Sequence, residues 1–111
     1  MASVSTIKQE ILRRLEPLDL KTVIMFGSWI SGVPSQDSDI DLYIVTKDDY
    51  IPATWKDKMF LKLRVSRALG ELKATNDFDL IVHTAAMEKL FRERQSQFSR
   101  EIFEKGERLY G

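Results

Sequence analysis

The sequence predicts an α/β (α+β) fold built on one sheet, because three short apolar, β-branched runs alternate with three longer stretches at helical spacing. The runs are 21–26, 39–46 and 78–83, and the helical stretches are about 6–15, 53–72 and 84–106. Read in order they give helix, strand, strand, helix, strand, helix. The turn-rich segment between the first two strands is where chemistry-bearing residues collect.

Ser5 or Thr6 caps a first helix that runs to about Leu15, with Ile7, Ile11, Leu12 and Leu15 on one face and Pro17 as its stop. The run Lys21 to Phe26 reads as a buried strand that ends abruptly at Gly27. Gly27 to Ser38 holds glycines, serines and a proline, a connection with room for one helical turn after Ser28. Asp39 to Thr46 reads as the second strand, and its alternation puts Asp39 and Asp41 on one face, roughly 6–7 Å apart at Cα. Two carboxylates at that spacing suit hard divalent cations, which prefer oxygen ligands.

A turn at Lys47-Asp48-Asp49 with Pro52 leads into a long helix from about Ala53 to Leu72, with Leu61, Val65, Ala68, Leu69 and Leu72 as its apolar stripe. In the third strand, Phe78 to His83, the side chains of Asp79, Ile81 and His83 share one face and those of Phe78, Leu80 and Val82 the other. Thr84 caps a helical C-terminal segment with a break near Gln95-Ser96-Gln97 and a stop at Gly106. Glu107 to Tyr110 is then a short final strand or a tail. Trp55, Met59 and the phenylalanines of the last helix are expected in the core, or at an interface if the core is full.

Composition narrows the function classes. At 111 residues and 43% apolar content, residues 1–111 are expected to form a single domain. Lys+Arg and Asp+Glu balance at 17 each, so the net charge does not call for a polyanion or an anionic membrane as partner. The absence of cysteine excludes disulfides, thiol catalysis and cysteine-held metals. With no signal-peptide pattern and no apolar run of membrane-spanning length, a cytoplasmic protein is expected.

Gly27-Ser28, ten residues, Asp39-Ile40-Asp41, and Asp79 within Asp77-Phe78-Asp79-Leu80 together resemble the nucleotidyltransferase superfamily with the polymerase β-like fold, a small mixed sheet flanked by helices. More narrowly the chain resembles the minimal nucleotidyltransferases, and its closing Gly106 to Gly111 is similar to the end of that domain. The resemblance implies that Gly27 admits a triphosphate and Ser28 donates to its β- or γ-phosphate. It implies that Asp39, Asp41 and Asp79 hold one or two Mg²⁺ ions, with Asp79 also serving the acceptor hydroxyl. Asp77 is the rival for the third carboxylate; Asp79, flanked by Phe78 and Leu80, is preferred.

The implied reaction moves a nucleoside monophosphate, AMP from ATP or another nucleoside triphosphate, onto an acceptor hydroxyl. The implied partner is a protein, of the all-helical HEPN type that pairs with minimal nucleotidyltransferases as toxin to antitoxin. The alternative is an antitoxin-like binding module with a weak or vestigial site. That alternative arises because Trp29-Ile30-Ser31-Gly32 stands where many members carry an arginine before the glycine. Lys21, Lys47 or a partner would have to supply a substitute cation. Trp29 either stacks on a base or packs, and His83, the sole histidine, is read as structural rather than catalytic.

Overall fold

The structure, a computed structural model, describes residues 4–32 and 38–111. Helix α1 is Val4–Leu15, followed by a 3₁₀ turn at Glu16–Leu18, strand β1 at Thr22–Phe26 and a single-turn helix α2 at Ser28–Ser31. Strand β2 is Ile40–Val45, and helices α3 (Trp55–Leu69) and α4 (Leu72–Thr75) lead to β3 (Phe78–His83). Helices α5 (Ala85–Arg94) and α6 (Gln97–Arg100), a π-helical turn at Glu101–Lys105 and β4 (Glu107–Tyr110) complete the chain.

The strands form one mixed sheet in the order β3-β2-β1-β4. β1 pairs antiparallel with β2 and with β4, whereas β2 and β3 run parallel. A parallel neighbour requires a crossover, and α3 with α4 supplies it. β1 and β2 lie in the middle and are covered on both faces, which is why they read as continuous apolar runs. On one face Val23, Met25, Ile40, Leu42, Ile44 and Leu80 pack with Ile7, Ile11 and Leu15 of α1 and Val65 and Leu69 of α3. On the other, Ile24, Phe26, Tyr43 and Val45 pack with Ile102, Phe91 and Phe103 from the C-terminal segment.

Local chemistry sets the element ends. α1 begins at Val4, so Ser5 and Thr6 lie inside the helix rather than before it. The long helix is shorter than its apolar pattern: Thr54 caps it by accepting from the Asp57 N–H at 3.1 Å, and Gly70, at φ +52°, ends it before Leu72 starts a separate turn. Thr84 caps α5, accepting from the Met87 N–H at 3.2 Å while its hydroxyl donates to the Tyr50 carbonyl at 2.6 Å. Gln95 takes a left-handed conformation at φ 48° and Ser96 recaps the chain, so the C-terminal helix breaks where its polar triplet predicts. The last segment is a strand: β4 pairs along β1, with Met25 opposite Glu107.

Two expectations about aromatic residues separate here. Phe91 and Phe103 join Tyr43 and His83 in a cluster of edge-on and tilted rings, with centroids 5.1–5.8 Å apart. Trp55, expected in the core or, with the core full, at an interface, is 73% exposed and so lies outside the core, because Leu61, Val65 and Leu69 are the α3 residues turned to the sheet. His83 serves the fold, since its Nδ1 and the buried Tyr43 hydroxyl are hydrogen-bonded at 2.8 Å and burial holds its pKa below the ordinary value. Tyr43→Phe removes that bond from a packed site and should lower unfolding free energy by about 1 kcal/mol in urea titrations, with the ring packing intact.

Candidate active site

β1 is apolar to its last residue, and the chain then leaves the sheet through Gly27 at φ 79°, ψ −153°. An L-residue side chain is strained at that φ, and a Cβ built there would overlap the Asp41 carboxylate. Glycine is therefore required twice, by the backbone and by the neighbour. Ser28 opens α2, whose single turn is closed by Gly32 N–H donating to the Ser28 carbonyl at 3.1 Å. Trp29 and Ile30 lean on the core, and the Trp29 indole N–H donates to the Ser38 carbonyl at 3.3 Å. Trp29 thus packs, and it ties together the two sides of the segment 33–37, which lies outside the described residues.

Asp41 interrupts a strand that is otherwise fully buried. Register places it between Phe26 on β1 and Asp79 on β3. Asp41 and Asp79 occupy paired positions on neighbouring strands, so their Cα atoms lie about 5 Å apart with side chains on one face. Asp39 sits just before β2, exposed, where the next residue's N–H donates to the Asp77 carbonyl at 2.8 Å. Asp77 itself lines a groove with Met59, Leu63, Phe78 and Leu80, on the α3 side of the sheet. His83 is four residues along β3 from Asp79, about 13 Å away at the rise of a strand, and stays outside the site.

Burial pushes the Asp41 carboxyl up to about 6, and the negative fields of Asp79, Asp39 and Glu101 push in the same direction. The four carboxylates therefore form one electrostatic unit, and Asp77 is not among the charges that shift Asp41. Glu101 is the member that the sequence does not reveal. It comes from the π-helical turn that follows α6, and nothing in a run of alternating charged and apolar residues distinguishes it.

Neither lysine considered as a substitute cation is free for this work. Lys21 pairs with the buried Glu88 at 2.8 Å, and Lys47 with Asp19 at 2.7 Å. Among the described residues, Asp39, Asp41 and Asp79 make no ion pair, and no three acidic or imidazole side chains converge into a ready-made metal cage. The donor set is nonetheless all oxygen and carries uncompensated negative charge, which fits a hard divalent cation in charge and ligand type.

Gly27→Ala forces a strained φ against the Asp41 carboxylate and should cost about 1–3 kcal/mol, read as a lower thermal midpoint. The pKa of Asp41 is higher in the fold, about 6, than the ordinary 3.8, so the folded state binds the proton more tightly. Stability from this group is full below the ordinary value and is lost as pH rises through about 6. In metal-free buffer Asp41→Asn should raise stability by about 1–2 kcal/mol at neutral pH, after discounting for solvent screening. The gain should vanish near pH 4, about the unfolded carboxylate value, in paired melting curves.

A family model described as polymerase beta nucleotidyltransferase matches residues 7–111. No curated protein matches the chain. Among solved structures, the chain is similar to the toxin–antitoxin MntA–HpeT bearing two aspartate-to-glutamate substitutions, with TM-score 0.55 and 18% identity over 94% of this chain and 72% of that one. It is also similar to a toxin–antitoxin structure with AMP-PNP, at TM-score 0.54 and 20% identity over 94% and 73% of the two chains. A structure described as a nucleotidyltransferase from Sulfolobus solfataricus aligns at TM-score 0.51 and 25% identity over 76% of this chain and 68% of that one. The first two likenesses speak for a shared fold alone. The family match extends from the first core residue of α1 through β4 and takes in every carboxylate of the site, and on it the chain belongs to the polymerase beta nucleotidyltransferase family.

Proposed function

We propose that this nucleotidyltransferase moves AMP from ATP onto a hydroxyl of a partner protein, in a Mg²⁺-dependent reaction, as a minimal nucleotidyltransferase. The observation that carries the proposal is the register that sets Asp41 between the Gly27 turn and Asp79. Gly27 lets the turn close onto the Asp41 carboxylate, so that a triphosphate held along this turn meets the carboxylates, and the Ser28 hydroxyl and N–H donate to the β- or γ-phosphate. Asp39, Asp41 and Asp79 are the residues that would hold Mg²⁺, which when bound supplies compensation for charge building on the transferred phosphoryl group. Asp79, on the edge strand, orients the acceptor hydroxyl and takes its proton. The acceptor oxygen bonds to the α-phosphorus, the bond from that phosphorus to the bridging oxygen breaks, and pyrophosphate leaves. Orienting the acceptor and the phosphates is this chain's main contribution.

The AMP-PNP present in one structural neighbour supports an adenine nucleotide as donor, and the toxin–antitoxin assembly of two neighbours supports an antitoxin acting on a partner. A small all-helical HEPN protein is the partner class that this reading favours. A second reading, a binding module with a weak site, draws on a specific observation: Ile30 stands where a cation is expected, and both Lys21 and Lys47 are held in other ion pairs.

One experiment separates the two. The chain is incubated with the protein encoded beside it, Mg²⁺ and each nucleoside triphosphate, and intact masses are measured. An AMP adduct on the partner that disappears in Asp39→Asn and Asp41→Asn is the expected result, with a drop in rate of about 10²-fold or more. Neutralisation of the partner by those same variants without any adduct would establish the binding module instead.

A further inference from the structure

The geometry points to a docking face on α3 for a partner protein that presents an amphipathic helix with acidic margins. α3 is apolar on two sides. Leu61, Val65 and Leu69 are buried toward the sheet, while Trp55, Phe60 and Leu63 stand 73%, 59% and 41% exposed. At 100° per residue Met59, Leu63 and Phe60 lie on the side away from the buried stripe, and Trp55, one turn before Met59, starts the same ridge at the flank of that stripe. The ridge borders a groove of about 310 Å³ between α3 and edge strand β3, floored by Phe78 and Leu80. An exposed apolar strip leading into a concave apolar floor marks an interaction surface.

Charge selects the occupant. α3 carries five basic residues, Lys56, Lys58, Lys62, Arg64 and Arg67, against the single acid Asp57, on a chain whose formal net charge is zero. Lys62 edges one side of the ridge and Lys56 and Arg67 the other, and none of the three makes an ion pair among the described residues. Lys73 adds a further cation at the groove, and Asp77 is the acid at its end. A second copy docking through the same face would set like charges together, so homotypic packing is disfavoured. An anionic bilayer would satisfy the charges but, being flat, would leave the Phe78–Leu80 floor unfilled. A helix whose apolar ridge enters the groove and whose Asp or Glu margins meet Lys56, Lys62 and Arg67 satisfies both features.

Asp77 closes the groove two residues before Asp79. The Asp79 side chain lies on the opposite face of this edge strand, so a partner seated in the groove must reach around the β3 edge to present an acceptor to it, and that consequence, unlike the docking face itself, rests on the nucleotidyl-transfer reading.

Trp55 is a built-in reporter. The full chain is titrated with a synthetic helical peptide having leucines on one face and glutamates on its margins, and with its lysine-margined counterpart. The proposal expects a saturable blue shift of tryptophan emission with the first peptide and binding about tenfold weaker or worse with the second. The double variant Lys62→Glu, Arg67→Glu, exposed and therefore foldable, should invert the preference, and Leu63→Ser should weaken both. Equal binding of the two peptides, or of neither, overturns the proposal. So does a blue shift seen only with phosphatidylserine–phosphatidylcholine vesicles, or concentration-dependent dimerisation in sedimentation that Trp55→Ser abolishes. Docking lost with ATP-induced NMR shifts at Ser28 and Asp41 intact overturns the docking face alone, whereas docking retained with no transfer overturns the transfer reading alone.

Discussion

The approach of the Gly27 backbone to the Asp41 carboxylate is the contact on which the rest of the structure depends. It places an ionisable group inside a strand that is buried at every other position, next to a backbone conformation that only glycine holds without strain. Such an arrangement persists only where the surroundings over-determine it. Here the surroundings are two apolar layers, one on each face of β1 and β2, and a ladder on both sides of β1. The upward shift of Asp41 measures what the fold gives up to keep the carboxylate there.

Topology brings the other groups to that contact. The antiparallel β1–β2 pair sets the turn after Phe26 beside Asp41, and the parallel β2–β3 pair sets Asp79 beside it from the opposite side. A one-residue slip in either register would turn Asp41 or Asp79 into the α1–α3 core, so the apolar patterning that fixes register also fixes the site. The crossover that makes β3 parallel is α3, whose inner face packs on the sheet and whose outer face is the basic, apolar surface described above.

How much of this could be read from residues alone follows from the range of the interactions involved. β3 matched its expected span because its run is bounded by turn residues, and the break at Gln95 to Gln97 matched because polar caps act locally. Asp39, Asp41 and Asp79 stood out because a carboxylate in or beside an apolar strand is conspicuous. Trp55 could be read as core or as interface because α3 has apolar residues on two sides, and only the sheet decides which side is inner. Glu101 and the pairing of Lys21 with Glu88 were invisible for a different reason. Each depends on a contact between residues more than fifty positions apart, and a charged residue in a helical pattern looks the same whether it meets solvent or a distant partner.

The electrostatics of the site also bear on how a triphosphate could enter. Asp39, Asp41, Asp79 and Glu101 bias the region negative, and Lys21 and Lys47 are already paired elsewhere. On the nucleotidyl-transfer reading, a polyanion meets repulsion here unless its charge is compensated on arrival. Proteins of this chemistry commonly set a basic side chain against the phosphates, but at Ile30 this chain offers an apolar contact to the core instead. On the same reading, divalent cations arriving with the nucleotide and a basic group of a partner protein are two sources of that compensation. Either source makes nucleotide affinity conditional, in the first case on cation concentration and in the second on assembly. On the nucleotidyl-transfer reading, the second case would tie the activity of the site to the presence of the partner.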